Sequence, residues 1–274
     1  MSHLPTTSMT ALVLAGQREG RIDPLADAAG ISLKCLVPVA GRPMILHVLD
    51  ALAASPDIGR IIVSVNDSAA LEVLEPIRAL VQAGRLRIVP ARHNLVDSVM
   101  DALADASFPA LVTTADNVLL APDAIAEIGT GADVANADIA VAFARASSVL
   151  AAHPDGQRRF YRFSDDSYSN CNSYWLRSRT ALGPIEVFRS GGQFAKHPLR
   201  IVQAFGFLNL IRFRFGIGTL EGAFRRFSRR FRCSIRPVIL TDGAVAIDVD
   251  NARTLGVAED LLHARAATMP IAAE

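Results

Sequence analysis

LVLAGQREGRIDPLADAAGISLKCLVPVAGRP, residues Leu12–Pro43, begins as a buried strand and passes through a glycine- and arginine-bearing loop to a lone lysine and a turn. Ala11–Ala15 is a short apolar run of the kind a parallel-sheet strand shows. Gly16 and Gly20 let the backbone after it turn close to phosphate oxygens. Arg18, Arg21 and Lys34 supply countercharge, which suits the loop to the phosphates of a nucleoside triphosphate. GQREG fits neither GxGxxG nor the GxxxxGK[ST] of a P-loop, so a dinucleotide-dependent oxidoreductase is disfavoured.

Outward from that stretch, apolar strand-like runs alternate with helical patterns, the signature of a doubly wound parallel sheet. Strands are expected at Ala11–Ala15, Arg60–Val65, Leu86–Pro90 and Ala110–Thr114, with helices at Met44–Ala54, Ser68–Gln82 and Leu95–Asp105. The second half breaks the rhythm. Ile139–Ala144, Arg158–Phe163 and Ser173–Arg177 read as strands, Thr180–Phe188 as a helix, and Leu199–Arg230 as two helices parted near Gly216–Thr219. Strands at Ser234–Thr241 and Ala244–Val249 and a closing helix from Ala252 complete the pattern. No repeat or Pro/Ser-rich linker divides the chain, so one α/β domain over residues 1–274 is expected, with a helix-containing insertion at 145–240.

With 274 residues, 51% hydrophobic and 20% charged, the chain can bury a sizeable core, and a net charge of +1 gives no global case for nucleic acid. Cys35, Cys171 and Cys233 lack metal-ligand spacing, which points to a reducing compartment and no zinc site. MSHLPTTSMT carries no basic region leading into a hydrophobic stretch, so a cytoplasmic location is expected. There is no GxSxG elbow, HExxH or Cys/His arrangement to support nucleophilic or zinc hydrolysis.

Asp116 follows the run Ala110–Thr114. In an open α/β sheet ligands lie beyond the carboxyl ends of strands, so this carboxylate faces the crevice; the competing role is a turn or cap beside Asn117. AIDVDNARTL, Ala246–Leu255, places Asp250 just before the closing helix and Asp248 two residues earlier on the same face of an extended segment, with capping by Asn251 or Asp250 as the alternative. Two carboxylates from distant segments suit a magnesium ion that binds substrate phosphates through the rest of its octahedron.

The order of strand, Gly/Arg loop, Lys34 and the turn at Gly41 and Pro43 resembles nucleotidyltransferases with the MobA-like or sugar-nucleotide pyrophosphorylase fold, whose pattern is roughly LAxGxGxRxxxxxPKxLxxVxGxP. Leu33 stands where that pattern has proline. IDVDNARTL looks like the family's late DIDTPEDL segment. The resemblance covers about 150 residues at the two ends of the chain, judged by motif context. It implies a nucleotide-diphospho-sugar transferase-like, mostly parallel, Rossmann-like sheet. It also implies transfer of a nucleoside monophosphate from CTP or GTP to a phosphorylated small molecule with release of pyrophosphate. Sugar-1-phosphate nucleotidyl transfer and non-catalytic nucleotide binding are the alternatives. On this reading Lys34 and Arg18 act on the phosphates, and Leu14, Ala15, Gly16, Gln17, Gly20 and Arg21 contact the nucleotide. Asp116 and Asp250, with Asp248 in reserve, hold Mg2+ or Mn2+.

Asn94 and Asp97 have the spacing of a helix capping box, and the resemblance adds base contact by Asn94 and Ser98. His47 reads as structural, and His93 as either a loop residue or a nucleotide neighbour. Asn170 and Asn172 read as turn formers or as acceptor contacts. Between Arg200 and Arg236, nine arginines face a single Glu221 and seven of the thirteen phenylalanines occur. Phe205, Phe224, Phe227 and Phe231 at near-helical spacing favour packing; acceptor or partner contact comes next, and peripheral contact with an anionic membrane through residues 200–236 last.

Overall fold

The computed structural model describes residues 8–17, 23–188 and 207–268. Its strands are β1 (Met9–Leu14), β2 (Pro38–Val39), β3 (Arg42–Pro43), β4 (Ile58–Val65), β5 (Leu86–Pro90), β6 (Ala110–Thr114), β7 (Ile139–Arg145), β8 (Tyr161–Arg162), β9 (Ser167–Leu176) and β10 (Ile235–Leu240). The main sheet runs β10-β7-β9-β6-β1-β4-β5, with β8 paired to β9, while β2 and β3 form a small separate hairpin. β6, β1, β4 and β5 are mutually parallel, as are β7 and β10; β9 enters between the two groups antiparallel to both. The expected α/β sheet is therefore present, mostly parallel and mixed at β9.

β1 reads as a continuous apolar run because both its faces are covered. Ala11 and Val13 point into one core with Met44, Ile45, Leu49 and Leu52 of the helix Met44–Ala54, whereas Leu12 points into the other with Val99 and Ala102 of the helix Leu95–Ala102. Burying a side chain the size of Leu12 contributes about 1.5–3 kcal/mol.

Several expectations are corrected. Ala244–Val249 is not a strand: Gly243–Ala246 forms a 3-10 turn, and the residues beyond it are buried without joining the sheet. A short apolar run identifies burial, not backbone geometry. The helix expected over Ser68–Gln82 divides into Ala69–Glu72 and Glu75–Gln82, because Pro76 sits in the first turn of the second piece, where it begins a helix more readily than it continues one. Only Tyr161–Arg162 of Arg158–Phe163 is strand, and Thr180–Phe188 folds as the 3-10 helix Arg179–Phe188. The helix Pro122–Val134 was hidden by its glycines. A Cβ on Gly131 would lie 2.7 Å from Val238, so glycine lets this helix close on β10.

The helical pair appears as Phe207–Arg214 and Leu220–Phe231, while 199–206 lie outside the described residues. Phe224 is buried, with ring centroids 5.7 Å from Phe143 and 5.9 Å from Phe227, and Phe231 packs against the same core; Phe205 lies outside the described residues. Among the described residues no helix is long and apolar enough to cross a membrane.

Candidate active site

The carboxyl ends of β1, β4 and β6 meet where the backbone leaves the sheet. Ala15 N–H donates to Ser64 O (2.8 Å) and Ala115 N–H to Leu14 O (3.0 Å), so Leu14 and Ala15 use these backbone groups to extend the ladder. At Gly16 a Cβ would stand 2.7 Å from Ala91 Cβ, and glycine therefore lets the loop approach the Ala91–Asn94 segment. Gln17 ties the loop down: its N–H donates to Asn66 Oδ1 (2.6 Å), its Nε2 to Ser32 O (2.7 Å), and its Oε1 accepts from Lys34 N–H (3.4 Å). Arg18, Gly20 and Arg21 lie outside the described residues.

Lys34 opens the 3-10 turn Lys34–Leu36 between buried Leu33 and Cys35, which anchor the turn in the core. Burial pushes the Cys35 thiol up to about 12, consistent with an inert apolar role. Lys34 Nζ donates to Asp116 Oδ2 at 2.6 Å and to Asp250 Oδ1 at 2.9 Å, joining segments 82 and 216 residues away. Burial alone would lower the lysine pKa, but the two carboxylates outweigh it and the net shift is upward. Lys34 and Asp116 are each 19% exposed and Asp250 is 63% exposed, so the cluster is rooted at Asp116 and open at Asp250.

The competing roles of both aspartates are taken by neighbours. Asn251 Oδ1 accepts from Arg253 N–H (3.1 Å) and Thr254 N–H (3.2 Å) at the start of the closing helix, leaving the Asp250 carboxylate to Lys34. Asn117 is fully buried, with Nδ2 donating to Cys171 O at 2.9 Å, and thereby pins the turn after β6 to β9. Asp116 anchors the late segment through its own backbone, its carbonyl accepting from Val249 N–H (3.1 Å). Its Oδ1 is buried and has no hydrogen-bond partner. That is the condition of an oxygen shaped for a ligand.

Asp248 sits beside this cluster with only 9% of its surface exposed. Its Oδ2 accepts from Asn172 Nδ2 at 2.6 Å, and its Oδ1 is also orphaned. Burial first, and then the carboxylates of Asp116 and Asp250, push the Asp248 carboxyl well above the usual carboxylate range; Lys34 pulls the other way. Asn172 reaches it because β9 bulges. The register against β7 shifts between Val141 and Phe143, and Asn172 adopts φ 45°. Among the described residues no three His, Cys, Asp or Glu side chains are already arranged around a metal position. A divalent ion held by one or two carboxylates plus substrate phosphates needs no such cage, and the orphaned Asp116 oxygen with open Asp250 fits that mode.

Asn94 caps the helix Leu95–Ala102: its Oδ1 accepts from Asp97 N–H at 2.9 Å and its Nδ2 donates to the Asp97 carboxylate. Ser98 Oγ accepts from Arg92 N–H (2.8 Å) and donates to Asn94 O (3.1 Å), fixing the loop that faces Gly16. The His47 ring bonds to Val39 O (2.9 Å), as a structural residue would, and His93 is exposed in the loop. Asn66, which holds Gln17, escaped sequence reading; its position directly after β4, at the ligand end of the sheet, was the available signal.

The family model for the MobA-like NTP transferase domain matches residues 11–201. The 2-C-methyl-D-erythritol 4-phosphate cytidylyltransferase of Solibacter usitatus (strain Ellin6076) is 32% identical over 82 residues, 30% of this chain and 34% of that protein. The chain thus aligns with about a third of that curated relative. Among solved structures, a hypothetical transferase from Thermus thermophilus superposes with TM-score 0.76 at 23% identity, covering 90% of this chain and 99% of that one. The 4-diphosphocytidyl-2C-methyl-D-erythritol synthase of Anaerococcus prevotii DSM 20548 gives TM-score 0.58 at 10% identity over 94% of this chain and 97% of that one. CMP:2-keto-3-deoxy-manno-octonic acid synthetase complexed with CTP gives 0.56 at 14% identity, over 94% and 100%. These structures share the fold. The family match spans most of the chain and includes Ala11–Leu14 of β1, Lys34 and Asp116, and on it this chain belongs to the MobA-like NTP transferase domain family of nucleotidyltransferases.

Proposed function

We propose that this nucleotidyltransferase moves a nucleoside monophosphate from CTP or GTP to a phosphorylated small molecule, releasing pyrophosphate. The observation that carries the reading is the meeting of Lys34, Asp116 and Asp250 at the carboxyl end of the sheet, with one Asp116 oxygen orphaned. The curated relative is a cytidylyltransferase, so CTP is the first nucleotide to test. The family is typically magnesium-dependent, and Asp116 and Asp250 are the residues that would hold Mg2+ or Mn2+, with Asp248 beside them. When bound, the ion neutralises charge on the α-phosphate and the departing pyrophosphate.

The chain's own residues supply the rest. Gly16 keeps the loop open to the triphosphate, and Gln17 holds it against Asn66 and Ser32. Arg18 and Lys34 meet the phosphate oxygens, Lys34 exchanging a carboxylate contact for phosphate as substrate enters. Gly20 and Arg21 complete the nucleotide side, Leu14 and Ala15 hold the root of the loop to the sheet through their backbone, and Asn94 and Ser98 shape the loop against the base. An acceptor oxygen attacks the α-phosphorus. The bond to the bridging oxygen breaks, and its electron pair leaves with pyrophosphate. Positioning and charge complementarity carry this chemistry, without a protein nucleophile.

Pyrophosphate release from CTP, GTP and UTP against a panel of phosphorylated acceptors with Mg2+ tests the proposal. Turnover that is lost in Asp116→Asn and Lys34→Ala is the expected result. Nucleotide binding without pyrophosphate release for any acceptor would make the chain a binding protein, and turnover confined to sugar 1-phosphates would redirect the acceptor assignment.

A further inference from the structure

The helix Leu220–Phe231 turns Leu220 and Phe224 to the core and carries an arginine-rich face opposite. Its acidic residue, Glu221, is engaged by Arg225 (3.4 Å) and Arg236 (4.0 Å). Arg226 has no such relief: its Nε–H is buried without a hydrogen-bond partner. The guanidinium folds back along the helix, so that a Cβ on Gly222 would lie 3.5 Å from Nη1 and one on Gly218 would lie 3.8 Å from both terminal nitrogens. Arg229 follows one turn later on the same helix. Arg212 is brought across by the turn between the two helices, which Ile217 N–H closes on Arg212 O at 2.7 Å. Burial first, and then repulsion from Arg212 and Arg229, lower the Arg226 pKa from its ordinary value. Among the described residues no carboxylate pairs with Arg212, Arg226 or Arg229.

Arg226 and Arg229 share one helix, and the helix that carries Arg212 packs against it; like charges on such neighbouring elements repel until an anion joins them. The geometry points further, because of where the cluster lies. The helix leads directly into the start of β10, and its first turn is tied to the β8–β9 turn by Leu220 N–H to Asp165 Oδ1 (3.2 Å) and Ser164 N–H to Gly218 O (3.0 Å). The β8–β9 turn flanks the carboxyl end of β7, where Arg145 pairs with Tyr168. Arg226 therefore faces the same end of the sheet as Lys34, Asp116 and Asp250. In sheet order β10 is three strands from β6, roughly 14 Å at the usual strand spacing.

We propose that Arg212, Arg226 and Arg229 form an anion site for a phosphate monoester dianion, the distal group of the acceptor whose other end reaches the α-phosphorus. The acceptor part rests on the nucleotidyl-transfer reading; the anion site stands on its own geometry. Guanidinium forks match phosphate oxygens two at a time, and three cations without a paired carboxylate among the described residues favour a dianion over a monoanion.

Protein carrying 15N-labelled arginine, titrated with inorganic phosphate, tests the site through the Arg226 Nε–Hε resonance. A saturable shift is expected at millimolar phosphate, retained in Lys34→Ala and about tenfold weaker in exposed Arg229→Gln and Arg212→Gln, in keeping with loss of one charge-assisted contact. No saturable shift, or one abolished by Lys34→Ala, would overturn the proposal, the latter by placing phosphate at the nucleotide loop. Sedimentation with phosphatidylglycerol vesicles separates the source of the phosphate: no sedimentation is expected, and salt-sensitive sedimentation would assign the cluster to a membrane surface and overturn the acceptor. A retained arginine shift without pyrophosphate release would remove the nucleotidyl-transfer reading alone. Pyrophosphate release without the shift would remove this site alone.

Discussion

Lys34 and Arg226 are cations at the same end of one sheet, and the chain treats them in opposite ways. Lys34 is held by two carboxylates from segments far away in sequence, and its charge is balanced before any ligand arrives. Arg226 has a buried, unpartnered Nε–H, and its cationic neighbours are Arg229 of its own helix and Arg212 of the helix before it. The difference separates two designs for handling phosphate. The lysine cluster can rearrange, because each carboxylate released by Lys34 becomes available to another cation. Among the described residues the arginine cluster has no carboxylate partner to exchange, and it gains most from an anion supplied from outside.

Removing the carboxylate that roots the first cluster breaks this comparison most sharply. Asp116→Asn preserves shape and leaves Lys34 paired with Asp250, so folding should survive while turnover falls by about 10³-fold, near 4 kcal/mol of transition-state stabilisation. Steady-state pyrophosphate release together with a chemical-denaturation curve separates the two effects. A variant with near wild-type turnover would disconnect the cluster from the reaction.

The second cluster should fail through its scaffold rather than its charge. Phe224 is 8% exposed and meets Phe143 and Phe227 edge to face. Phe224→Ala is expected to cost about 3 kcal/mol in urea or guanidinium unfolding, at the low end for a buried phenylalanine because this helix lies at the margin of the core. The Arg226 Nε–H signal should then lose its protection from exchange, while Lys34, Asp116 and Asp250, carried on other elements, keep their arrangement. Equal loss of both clusters would show that they share one cooperative unit.

Legibility in the sequence follows the same division. β1 and β6 were marked by apolar runs buried along nearly their whole length, the helix Met44–Ala54 by its buried apolar face, and β5 by a short apolar run of which Leu86 is buried. Lys34, Asp116 and Asp250 were visible through motif order and strand ends. Nothing in spacing, however, told that one ammonium would bridge both carboxylates. The early part of β9 was missed because it is polar. Over Ser167–Asn172, Ser169 is buried and Asn170 Oδ1 accepts from Asn172 N–H at 2.6 Å, so polar side chains and a bulge replace the alternation that hydropathy detects. That polar, bulged strand also delivers Asn172 to Asp248. The arginine excess was obvious from composition, whereas the folded-back Arg226 side chain was not.

The smallest expected effect sharpens the boundary between shaping a site and touching a ligand. Asn94 has a polar nitrogen and oxygen, and both engage Asp97, one on its backbone and one on its carboxylate. Asn94→Ala should therefore cost about 1 kcal/mol, the ordinary value of an N-cap. Ser98 Oγ holds Arg92 N–H as well as Asn94 O, so the loop opposite Gly16 retains one anchor when the cap is lost. Nucleotide affinity should accordingly change by less than about threefold, since the stability loss falls on the free and the bound protein alike. Calorimetric binding of CTP and GTP, paired with a denaturation curve, reads both quantities. A drop of tenfold or more for one nucleotide but not the other would assign Asn94 a direct contact with the base, because loss of a cap cannot distinguish cytosine from guanine.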